Sequence, residues 1–201
     1  IFFGCSSQEI SGNVVGSVDP VVSKGDSQEK SEDKGDFVIT YGGVKSEEFK
    51  EIEKVFRESK VFEDHAQGLN EIFILPYDVL VVFKECEEDN AFYVKEEKSI
   101  IICYELLPKI RSTFEGSLES GEEINEATAN AFEFVFFHEL GHALIDVYHL
   151  PTLGGQEDSA DRFAGVVLAE EYPEAVLWGA NWLWLEAQDQ DLDDSEFADE
   201  H

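Results

Sequence analysis

The sequence predicts an α+β domain. Two observations lead there. Short apolar runs suited to strands crowd into the stretch before residue 106, and long helical patterns fill the stretch after it. Strands and helices segregated in this way give an α+β rather than an alternating α/β order. The chain has 201 residues, 43% of them hydrophobic and 16 of them Phe. That is enough for one domain with a sizeable core and a tail.

Folded character starts near Phe37. FVITY (37–41) alternates as a strand does and ends at Gly42-Gly43. Ser46 is an N-cap for a helix over 46–59, on which Phe49, Ile52, Val55 and Phe56 recur at helical spacing. EIFILP (71–76) and VLVVFKE (79–85) read as strands separated at Pro76. EEDN (87–90) is a turn. AFYV (91–94) and SIIICYEL (99–106) form a hairpin across VKEEK. A short helix follows Pro108 to about Leu118. A long one runs from Asn125 to His149, and another from Glu157 to Glu171. Trp178, Trp182 and Leu185 mark a final apolar helix face before an acidic end.

Lys and Arg number 14 against 45 Asp and Glu, a net charge of −31. Nucleic acid is excluded as a partner, because phosphate contacts need a basic face. Docking on anionic lipid by charge is excluded likewise. The only membrane contact expected is through an N-terminal lipid. IFFGC (1–5) looks like the remnant of a lipoprotein signal peptide, with Cys5 as the lipidated residue. Residues 6–36, rich in Ser, Gly, Asp, Lys and Glu, read as a flexible linker. Ser6 beside Cys5 points to the outer membrane, on the periplasmic side of a bacterial envelope. The remaining domain is 37–201.

The chemistry lies in FVFFHELGHALIDVY, which holds His138, Glu139 and His142. Residues four apart on a helix project from nearly one face, so both imidazoles can reach one ion about 2 Å from each nitrogen. Glu139 sits where its carboxylate can serve a metal-activated water as general acid/base. The helix around the motif is apolar, and two His and a Glu buried there are costly unless a metal compensates them. A third ligand is available in QEDSADRFA. Glu157 and Asp161 are four apart on the next helix. Glu157 can bind the ion while Asp161 accepts a hydrogen bond from a ligand imidazole, fixing its tautomer.

His-Glu-x-x-His followed by Glu-x-x-Ala-Asp resembles the gluzincin metallopeptidases. The chain from Phe37 onward is similar to a bacterial zinc-metallopeptidase family, most closely in NAFYV, CYEL, FVFFHELGHALIDVYHLP and EDSADRFA. The resemblance implies a zincin-like fold: a small mixed or antiparallel sheet packed on the helix carrying HELGH. It implies one zinc ion per chain, held by His138, His142 and Glu157, with Glu139 catalytic. It also implies that the domain continues beyond FADEH. Metzincins fit poorly, because Ile145 and Tyr148 stand where that group needs Gly and His. Tyr148, His149 and His201 are candidates for the group that stabilises the oxyanion, His201 being paired with Asp199 as in thermolysin-like enzymes. AFYV or IIICY can hold an extended peptide by strand addition.

Cys86 and Cys103 lack metal-ligand spacing and can close a disulfide in an exported protein. The expected function is hydrolysis of a peptide or protein substrate. The alternative is a catalytically silent zinc-binding lipoprotein acting as a binding or structural module.

Overall fold

The structure, a computed structural model, describes residues 34–152 and 154–198. Cys5 and most of the linker span 6–36 lie outside the described residues. Six helices and four strands follow the order β1 (Phe37–Tyr41), α1 (Glu47–Ser59), α2 (Val61–Ile72), β2 (Val79–Lys84), β3 (Ala91–Val94), β4 (Ser99–Cys103), α3 (Leu106–Glu115), α4 (Gly121–Val147), α5 (Gln156–Leu168) and α6 (Pro173–Ala198). The class is α+β, as expected.

The sheet is mixed, in the order β1-β2-β4-β3. β1 pairs parallel with β2, β2 parallel with β4, and β3 antiparallel with β4. Every residue of β4 is buried, which suits an inner strand covered on both faces. β2 alternates instead: Val79, Val81 and Phe83 are buried and Leu80 is exposed. β3 is an edge strand, paired with β4 on one side and with no strand on its other side among the described residues.

One expectation fails in the middle of the chain. EIFILP is not a strand. Glu71 and Ile72 end α2, and of the rest only Leu75 makes a bridge, to Gly35. Phe62, Ala66 and Leu69 bury one face of α2 against the core, and that demand outweighs the β-propensity of the short apolar run. Lys60 separates α1 from α2 by adopting a left-handed conformation, φ 58. α3 starts two residues before Pro108, which is tolerated because first-turn amides have no partner within a helix. α4 starts at Gly121, capped by Ser120, whose hydroxyl accepts from the Glu123 amide at 3.4 Å.

α4 is the centre of the molecule. It packs against α3, α5, α6, β3 and β4. Phe132, Phe134, Val135, Phe136, Phe137, Leu140, Ala143 and Leu144 are all buried on it, so apolar residues surround it rather than forming a stripe. No described helix is long and apolar enough to cross a membrane. Trp178, Trp182 and Leu185 of α6 pack on the core as expected.

Candidate metal centre

His138, Glu139 and His142 lie on α4, and Glu157 and Asp161 on α5. The two helices touch at Gly141. A Cβ on Gly141 would come within 2.9 Å of the Ala160 Cα, so only the bare glycine lets α5 approach this closely. That contact brings Glu157 over the imidazoles. His138 Nε2 and His142 Nε2 are 3.1 Å apart. Glu157 Oε2 is 3.2 Å from the first and 3.4 Å from the second. Asp161 Oδ1 lies 2.8 Å from His138 Nδ1.

These distances settle a tautomer. An ionised carboxylate only accepts, so His138 Nδ1 carries the proton. In the neutral ring, Nε2 would then turn a lone pair toward His142 and Glu157. A lone pair facing a carboxylate oxygen at 3.2 Å repels it, and either a proton or a metal ion between them removes the repulsion. The donor set fits a metal ion: two imidazole nitrogens and one carboxylate oxygen, whose separations match the ~3.3 Å edge of a tetrahedron with ~2 Å metal–ligand bonds. Burial, followed by the neighbouring His138, pushes the His142 imidazole below its usual pKa, which favours the neutral ring a metal needs.

Glu139 is buried at 6% exposure. Burial pushes its carboxyl up to about 7, reinforced by Glu157 and opposed by His138 and by a hydrogen bond with the Tyr93 backbone. That backbone belongs to β3. A cleft of about 570 Å³ runs along this strand, lined by Tyr93, Lys95, Glu139, His142, Asp146 and Glu157 among others.

The other candidates fare differently. His149 lines the cleft from a left-handed backbone, φ 51. Tyr148 does not line it, because its hydroxyl donates to the Ile74 carbonyl at 3.1 Å. His201 lies outside the described residues. Cys86 and Cys103 are bonded, with Cα atoms 5.4 Å apart. Tyr93 and Asp146 at the cleft went unnoticed in the sequence. Asp146 was visible only as one acid in the apolar run ALIDVY.

Two helices that present His, His and Glu to one point define a candidate metal-binding site. The chain belongs to the family described as "putative metallopeptidase", which matches residues 41–201. Membership implies a metal, and His138, His142 and Glu157 form a group able to hold one. Neither a curated protein nor a solved structure matches the chain.

Proposed function

We propose that the chain is a zinc-dependent peptidase of gluzincin type with a zincin-like fold. The observation that carries this reading is the convergence of His138, His142 and Glu157 within 3.1–3.4 Å, beside a buried carboxylate and an edge strand. His138, His142 and Glu157 would hold the ion, which supplies Lewis acidity for attack on an amide carbonyl. Asp161 holds His138 in the tautomer whose Nε2 is free. Glu139, poised near neutrality by burial, takes the proton of the attacking water and passes it to the leaving amine. The outer edge of β3 faces the cleft, and an extended peptide would lie along it as an added strand. Burial of Glu139 against β3 keeps bulk water from competing for its proton.

The lipid anchor at Cys5 and an envelope location remain part of this reading. The test is hydrolysis of a peptide library by zinc-loaded protein and by Glu139→Gln. Cleavage by the wild type and its loss in the variant support the proposal. Equal cleavage by both overturns it.

A further inference from the structure

Asp146 sits one turn beyond His142, in the last turn of α4. A carboxylate there bears two costs. It is buried at 9% exposure, and it lies at the negative end of the helix dipole, which disfavours an anion. Three cationic or hydroxyl groups compensate it, all from the β3–β4 hairpin. Lys95 Nζ is 2.6 Å from Oδ1, and Lys98 Nζ is 2.8 Å from Oδ2. The Tyr93 hydroxyl donates to Oδ2 at 3.0 Å. Lys98 makes its contact from a left-handed backbone, φ 52, a conformation that costs a side-chain-bearing residue free energy.

The hairpin is thus held at both ends. At its open end, Cys103 follows Ile102, the partner of Ala91, and is bonded to Cys86. At its turn end, next to the Val94–Ser99 pair, Asp146 holds it to α4. Between them Tyr93 meets Asp146 through its hydroxyl and Glu139 through its backbone. An edge strand of four residues has a strand partner on one side only, so contacts with side chains decide how rigidly it faces α4.

We propose that Asp146 is a positioning residue that fixes the edge strand on the metal helix. It thereby sets the distance between a peptide bound along β3 and the imidazoles of His138 and His142. This rests on the peptidase reading above. Breaking a clamp speeds local opening of β3 first, whereas a loss of global stability speeds exchange of the most protected amides of α4 and β2 as well.

The experiment compares the full chain with Asp146→Asn. Amide hydrogen exchange reads the strand, zinc content reads the metal, and kinetics on the best-cleaved member of a fluorogenic peptide library read the cleft. The expected result is exchange at Phe92–Val94 about tenfold faster or more, with Phe134–Leu140 of α4 unchanged. Zinc content should hold, and KM should rise about tenfold with kcat changed by less than about threefold. Unchanged exchange at β3, an equal acceleration throughout α4 and β2, or a fall in kcat at constant KM overturns the proposal. Should the Asn variant fail to fold, Tyr93→Phe removes one donor without changing charge, and should shift exchange and KM the same way by about two- to threefold. If the zinc-loaded wild type cleaves no peptide, the peptidase reading fails, and the exchange result decides the clamp by itself.

Discussion

At the residue scale, three carboxylates on or beside α4 do different work because their surroundings differ. Glu139 is buried, and burial, only partly opposed by His138, pushes it up to about 7. On the proposed reading, replacing it with Gln removes only the proton carrier. Glu139→Gln should keep zinc and fold while kcat falls by about 100-fold or more, as steady-state kinetics and elemental analysis would show. Asp161 acts through His138 Nδ1 at 2.8 Å. Asp161→Ala should weaken zinc affinity by about 10- to 100-fold, measured by competition with a chelator, and an unchanged affinity would reduce Asp161 to a helix charge. Asp146 is raised by burial but lowered further by Lys95, Lys98 and Tyr93, ending near 2. The unfolded chain therefore takes up this proton at a higher pH than the folded one does. The contribution is fully present above the ordinary carboxylate pKa and is lost as pH falls from roughly 4 to 2. Exposed Lys95 screens the interaction, so about 1–2 kcal/mol is expected. Urea midpoints should fall more between pH 6 and pH 3 in the wild type than in Asp146→Asn, and parallel slopes would contradict the assignment.

At the element scale, the site depends on how closely α4 and α5 approach. Gly141→Ala would place a methyl within 2.9 Å of the Ala160 backbone, and backbone does not yield as a flexible side chain does. A loss of about 1–3 kcal/mol is expected, with weakened zinc binding because Glu157 moves with α5. Normal stability and normal zinc affinity together would contradict that packing role. The pair of helices was legible in the sequence because the motif residues recur at helical spacing on each. Helix α2 was equally encoded, by Phe62, Ala66 and Leu69, but the apolar run IFIL masked it, since a short apolar run fits a strand or a helix end equally well. The contacts of Asp146 were not legible. Tyr93 and Lys98 lie 53 and 48 residues away along the chain, and no local pattern reports a pairing across that separation. The hydroxyl contact of Tyr148 was not legible either, as its partner is 74 residues distant.

At the scale of the whole molecule, the chain carries a net charge of −31 and a Phe-rich core, and the end of α4 that meets α5 and β3 gathers His138, Glu139, His142 and Asp146. The Cys86–Cys103 bond joins the end of β2 to the end of β4, and Glu105 beside it accepts from the Cys86 and Glu87 amides. Those two sulfurs and Glu105 form a second group close enough to hold a metal, but bonded sulfurs offer no thiolates. The central claim is that zinc binds at His138, His142 and Glu157. X-ray absorption at the zinc edge, on protein loaded with one equivalent, tests it most directly. The account predicts nitrogen and oxygen neighbours at about 2.0–2.1 Å with imidazole scattering, and loss of that signal in His138→Ala. Sulfur neighbours at about 2.3 Å, or an unchanged spectrum in His138→Ala, would contradict it.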